Sequence, residues 1–491
     1  MKPLLIVLSF FIATSAVAQS KTVALPTSSS LVNVRIVFRT GAAMDPADKP
    51  GLANLTAAML ARGGTRDLTY KQIVDQMFPM AASVGAQVDQ EMTTFHGSTH
   101  VDNLEAYYKL LRAMLLEPGW REDDFKRVKD EATNALLVGL RGNNDEELGK
   151  EMLYADLYAG TPYGHNGLGT HAGIEKITLD DLKAFYRQHY TQSNLIIGLA
   201  GGYPAASPDR VKKDFAALPE KDSSPTLAVN PAPIDHNRVE IVEKTSDSVA
   251  MSLGFPIDVK RGDPDYPALL VAQSYLGPHR LSSGRLFQRI REIRGLNYGD
   301  YAYIEYFPRG MFLFEPQPNL ARRSQIFQIW IRPVPPDAAS FTLRLAMFEL
   351  NHFVTDGIPA SDFEAAKEFA IKYVNVLTKT KDADLGYAID SAFYGIPDYG
   401  TYIGTQVSKL TRDEVNVAIR KHLRADRLQI VAVGSNADTL KKQLTGEDPT
   451  TIHYNSAKAG DILEEDKVVE KWDLKLRPQD VEIVPVDKVL E

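Results

Sequence analysis

The chain has 491 residues, no cysteine, and a formal net charge of −8 from 63 acidic against 55 basic side chains. Its length allows roughly two to four domains, each large enough to bury a core. The mildly negative balance argues against nucleic acid as a partner, and without disulfides the fold must rest on its core alone.

Lys2 gives a positive start, residues 4–13 are a mostly apolar run, and Ala16-Val17-Ala18 is a small-residue cleavage site. The pattern is that of a signal peptide over residues 1–18, with the mature chain starting near Gln19. No cysteine follows the cleavage site, so a lipoprotein anchor is not expected. No later segment holds the roughly 18 unbroken apolar residues of a membrane span. A soluble, exported protein follows, with a bacterial periplasm as the expected location.

A strand is expected over residues 34–39, followed by Gly41-Ala42 and the turn-rich run Asp45-Pro46-Ala47-Asp48-Lys49-Pro50. Residues 51–65 then read as a helix. Leu52, Leu55 and Met59 form one apolar stripe, and Gly63-Gly64 stop it. Its other face carries Asn54, Ala57 and Ala58. Residues 93–100, with His96 and His100 four apart, read as a strand. There such a pair lies roughly 13 Å apart, too far to chelate one ion. Helices are expected over 102–116, 123–140 and 179–189, and in the second half over 341–355 and 361–379.

An internal repeat organises the rest. Lys176-Ile177-Thr178-Leu179-Asp180-Asp181-Leu182 matches Lys409-Leu410-Thr411-Arg412-Asp413-Glu414-Val415. Both segments carry a capping box, Thr178 with Asp181 and Thr411 with Glu414. Each is followed by a His (His189, His422), a β run (195–200, 428–433) and a Gly (Gly201, Gly434). Upstream, Asp124-Phe125 with Lys129 matches Asp362-Phe363 with Lys367. The domain reading is therefore a first half over 22–220, a Pro-, Ser- and Asp-rich linker over 221–238, a second half over 239–447, and a charged tail over 448–491. Strands alternating with long helices fit an α+β class, with helices packed on mostly antiparallel sheets.

The run from Val32 to Thr65 resembles the zinc-helix region of the insulinase/pitrilysin metallopeptidases, which include the mitochondrial processing peptidases. The matching landmarks are the strand, Gly41-Ala42, Pro50-Gly51-Leu52, Met59-Leu60 and Gly64-Thr65. In that family an inverted His-x-x-Glu-His motif holds zinc and the base. Here Asn54 stands for the first His, Ala57 for the Glu and Ala58 for the second His. Alanine has no ligand atom, and an amide is a poor zinc ligand. The family's third ligand, a Glu in the following helix, falls on Asn134 or Ala135, with Glu131 nearby on another face. The resemblance thus implies a frame without its metal.

Tyr266–Tyr298 carries the second likeness. A Leu-Gly turn and a Ser/Arg/Leu-Phe run lead to Arg291-Glu292, Gly295-Leu296 and Tyr298. Arg291 and Tyr298 keep the seven-residue spacing of the family's substrate-binding Arg and Tyr, with Arg294 as rival for the Arg. A guanidinium and a phenol can grip peptide carbonyls and donate to a developing oxyanion. Tyr163-Gly164 with Gly169-Thr170 is a weaker match. The resemblance implies two homologous halves, each a tandem of α+β units, enclosing a cavity. It further implies a non-catalytic subunit of a heteromeric zinc metallopeptidase, inactive alone, whose Arg291 and Tyr298 serve a homologous zinc-bearing partner acting on unfolded peptides. A non-proteolytic scaffold or peptide-binding protein of the same fold is the alternative, and a standalone peptidase with other ligands is a third.

Overall fold

The computed structural model describes residues 20–221 and 226–491; residues 1–18, where a signal peptide is expected, lie outside them. Two sheets organise the chain. The first contains β1 (Lys21–Pro26), β2 (Leu31–Phe38), β3 (Gly85–Val88), β4 (Thr93–His100) and β5 (Leu195–Gly201), in the order β1-β5-β2-β4-β3. The second contains β6 (Arg238–Glu243), β7 (Val249–Ile257), β8 (Asp300–Tyr303), β9 (Gln325–Val334), β10 (Gln429–Gly434) and β11 (Val481–Pro485), in the order β11-β6-β10-β7-β9-β8. With β11 set aside, the orders are the same. In both, the first strand of the half pairs in parallel with the last, and the remaining pairs are antiparallel. The fold is α+β with mostly antiparallel sheets. Its tandem is realised once across the chain, one sheet to each half.

The repeated motifs make repeated contacts. Thr178 accepts from the Asp181 N–H and Thr411 from the Glu414 N–H, both at 3.3 Å, with each acidic side chain returning a bond to its threonine N–H at 2.8 Å. Lys129 Nζ donates to the Ile177 carbonyl at 2.9 Å, and Lys367 Nζ donates to the Leu410 carbonyl at 2.8 Å. Ile177 and Leu410 hold the same place in the two motifs, so the same contact is made in each half. The expected 123–140 helix is α-helical over Glu122–Asn134 and turns π-helical over Ala135–Gly142.

The halves are joined by exchanged helices. Asp145–Leu157 of the first half packs on β7 and β10, while Lys381–Tyr394 of the second packs on β5, β1 and β2. Each carries a Leu-Gly pair, Leu148-Gly149 and Leu385-Gly386. A Cβ on Gly149 would come 3.3 Å from Val433 in β10, and one on Gly386 would strike Pro318. With one face under its own helices and the other under a borrowed one, β5 is buried throughout and so reads as an unbroken apolar run. A cavity of about 110 Å³ lies against residues of the second half, and a more open one of about 260 Å³ lies between the halves, where residues 142–146 of the first meet Lys244, Thr245, Met311 and Pro333 of the second.

Residues 449–491 include a helix, Gly460–Val469, and β11, which adds to β6 as an edge strand. The tail also returns to the first half, where Arg141 pairs with Glu491 at 2.5 Å. Among the described residues no helix is long and apolar enough to cross a membrane.

Three carboxylates meet where the Asp145–Leu157 helix crosses this sheet edge. Glu240 and Glu482 are direct neighbours on β6 and β11, and Asp156 bonds Gln429 at 2.9 Å. Burial and then Glu240 push Asp156 up to about 8, while burial and then Glu482 push Glu240 up to about 7. Both folded values lie above the ordinary 3.8 and 4.5. The folded state therefore binds more protons, and this stability is present at low pH and lost as pH rises through about 7 to 8. Asp156→Asn is expected to keep the bond to Gln429 and remove the loss. Thermal melts from about pH 5 to about pH 9 should show the variant gaining on the wild type as pH rises. Parallel curves would refute the assignment.

Candidate functional site

The degenerate zinc helix spans Leu52–Arg62. Gly51 precedes it at φ 104°, and a Cβ there would meet the Leu168 carbonyl at 2.9 Å, so glycine is required. The helix has no cap of its own. Asp45, in the turn-rich lead-in, reaches forward and accepts the N–H groups of Gly51 and Ala53, both at 2.7 Å. A carboxylate is favoured at a helix N-terminus, where unpaired N–H groups converge. Burial raises the Asp45 carboxyl, opposed by His165, whose Nε2 lies 3.2 Å away. His165 is 120 residues from Asp45 in sequence, and no sequence signal marked the pair.

Leu52, Leu55 and Met59 are buried as their spacing requires. The opposite face is where the family's zinc ligands would sit. Asn54 is half-buried, Ala57 is 1% exposed and Ala58 is 7% exposed. The two methyl groups are core atoms. Asn134 and Ala135 are exposed at the junction with the π-helical turn, which offsets them from the α-helical register. Glu131 is held by Arg62 at 2.6 Å and Arg127 at 2.9 Å, so its carboxylate is already neutralised at the end of the zinc helix. One amide, two methyls and one ion-paired carboxylate do not fit zinc, and no reaction step can be drawn through a metal here. Among the described residues no group of three or more His, Asp or Glu is placed to hold one. His96 and His100 both lie on β4 but have separate duties. His96, its basicity lowered by burial and then by Arg35, packs beneath Gly85, while His100 accepts from the Asp102 N–H at 3.3 Å. We expect the purified chain, after dialysis, to hold far less than one zinc per chain by elemental analysis. One tightly bound zinc would contradict this geometry.

Arg291 lies in a π-helical turn, Phe287–Glu292. Its guanidinium sits 4.8 Å over the Phe287 ring and pairs with Glu292, with 39% of its side chain exposed. Tyr298 is 76% exposed, in the loop before β8. No hydrogen bond or ring contact joins the two among the described residues. Both instead present donors outward. The rival Arg294 is wholly buried. It bonds Asp466 at 2.9 Å, Glu465 at 2.6 Å and the Arg289 carbonyl at 3.0 Å, and so anchors the Gly460–Val469 helix. Arg294 is a strut, which leaves Arg291 as the arginine open to another molecule.

Comparison with known proteins fits this picture. The family model described as "Insulinase (Peptidase family M16)" matches residues 22–171, and the one described as "Peptidase M16 inactive domain" matches residues 176–369. The non-peptidase homolog YmxG of Helicobacter pylori is 22% identical over 414 residues, covering 82% of this chain and 88% of that protein. The probable mitochondrial-processing peptidase subunit beta of Arabidopsis thaliana is 24% identical over 256 residues, covering 51% of this chain and 47% of that one. A crystal structure of a peptidase M16 inactive domain from Pseudomonas fluorescens superposes with a TM-score of 0.74 at 24% identity, over 86% of this chain and 96% of that one. With the zinc frame kept and its donors replaced, the chain belongs to the insulinase family, peptidase family M16, as a zinc-less, non-catalytic member.

Proposed function

We propose that this chain is the non-catalytic subunit of a heteromeric zinc metallopeptidase and contributes Arg291 and Tyr298 to peptide hydrolysis by a homologous zinc-bearing partner. One contrast carries the reading. The helix that would hold zinc has become core, while at the substrate-binding spacing Arg291 stays half-exposed and Tyr298 exposed, uncommitted to any partner beyond Glu292 and Phe287. A residue kept for packing would be buried, as Arg294 is. The Arabidopsis relative, described as a subunit, supports an assembly of this kind. The proposal includes export, following the apolar N-terminal run, and an unfolded peptide as substrate.

The test is reconstitution with a homologue bearing an intact His-x-x-Glu-His motif. The expected result is a stable complex by gel filtration that cleaves an unfolded peptide, with no cleavage by this chain alone. Peptide binding without complex formation would instead establish the scaffold reading.

A further inference from the structure

The cavity in the second half lies between the Tyr266–Leu276 and Ala360–Leu377 helices and the loop after β8. Through the repeat these helices are the counterparts of Leu52–Arg62 and Glu122–Asn134. Both Tyr266–Leu276 and Leu52–Arg62 follow the second strand of their half and end at a glycine. The cavity thus lies, in the second half, against the counterpart of the ligand-less zinc helix.

Its lining defines what could fill it. The rings of Tyr303, Phe307, Phe369, Tyr373, Tyr387 and Tyr399 form much of the wall. Every charged group is already engaged. Arg261 holds Glu305 through two bonds, at 2.9 and 3.0 Å, and stacks 4.6 Å over Tyr399. Asp390 accepts the Asn319 N–H at 3.0 Å and lies 3.6 Å from Arg261. His279 is bonded at both nitrogens, to the Tyr303 hydroxyl at 2.7 Å and the Leu313 carbonyl at 2.8 Å, and burial pushes it down to about 3, so it is neutral. What remains is neutral: the side-chain amides of Gln273 and Gln317 line the cavity and make no hydrogen bond among the described residues. A ligand carrying charge would find no partner for it and would have to be desolvated. The volume, about 110 Å³, is near the roughly 150 Å³ that holds a benzene ring.

We infer that this cavity is a binding site for a single neutral aromatic group, seated among the tyrosine and phenylalanine rings and hydrogen-bonded by Gln273 and Gln317. The group is either the side chain of a bound peptide or a free small aromatic molecule. The site needs no partner subunit and stands or falls apart from the reading above.

The experiment uses the chain alone. N-acetyl-phenylalaninamide, indole and a glycine-flanked pentapeptide with one central Phe are titrated by calorimetry and by saturation-transfer NMR. At the ordinary efficiency of small ligands, a saturable Kd of about 1 mM or tighter is expected. Binding of the pentapeptide together with the amide assigns the site to a peptide side chain; binding of indole alone assigns it to a small molecule. Phenethylamine and phenylpropionate should bind at least tenfold more weakly. Ala370→Phe, which fills the cavity from the Ala360–Leu377 helix, should abolish binding. If that variant does not fold, Tyr373→Ala, which removes one ring from a half-exposed position, should weaken binding roughly two- to tenfold. Absence of saturable binding by all three probes, equal binding of a charged ring, or binding unchanged in the folded variants would overturn the inference.

Discussion

Paired with a zinc-bearing partner, Tyr298→Phe is expected to cleave peptide about a hundred- to a thousandfold more slowly than the wild-type pair. The magnitude is that of one lost donor to a developing oxyanion, ~2.7–4 kcal/mol of transition-state stabilisation. The substitution removes one hydroxyl from a side chain that is 76% exposed and keeps its ring, so folding and pairing should be unchanged. Arg291→Ala is a less clean probe. It deletes an alkyl stem and a guanidinium stacked on Phe287, so part of its effect would be local packing. Arg291→Lys keeps the charge and loses the planar fork, and should fall between. Gel filtration of each variant with the partner separates pairing from turnover. If Tyr298→Phe and Arg291→Ala pairs both cleave at the wild-type rate, the two residues have no role in the site, and the scaffold reading gains.

What was legible in the sequence was local. The capping boxes at Thr178 and Thr411 were readable because three residues at fixed spacing suffice to satisfy helix N–H groups, and both form as spaced. The zinc frame was readable because its glycines and apolar stripe sit within about fifteen residues, and the loss of ligands at Asn54, Ala57 and Ala58 needs only identity. The long-range matter was not legible. The Leu148-Gly149 and Leu385-Gly386 pairs repeat too briefly to be noticed, yet they mark the exchanged helices that join the halves. Asp45 looked like a turn residue until the fold brought His165 against it. Arg294 and Arg291 are near-equivalent in sequence, and only the tail's Glu465 and Asp466 separate strut from open guanidinium. The cavity beside Arg261 comes from several distant segments of the second half, and no spacing rule covers it.

The joint between the halves gives the largest stability effect to expect. Asp89, in the β3–β4 turn of the first half, and Arg322, just before β9, form a two-pronged ion pair with side chains 4% and 5% exposed. The guanidinium also lies 3.5 Å over the Tyr306 ring. In such a burial the desolvation of two charges offsets much of their attraction, so the intact pair adds little net stability. Removing one partner is different, because it strands the other charge without water. Arg322→Met and Asp89→Leu are each expected to cost about 3–5 kcal/mol, read as a drop in the urea midpoint of unfolding. The double variant, with both charges gone and similar volume kept, should recover most of that loss, giving a large coupling energy in the cycle. Because the pair bridges two sheets, each single variant should also loosen the coupling between halves and broaden the transition or split it in two. If the single variants cost less than about 1 kcal/mol, or the double variant costs their sum, the pair is not the desolvated clamp its geometry describes, and the exchanged helices and the other contacts between the halves, such as Arg323 with Glu91, hold them together.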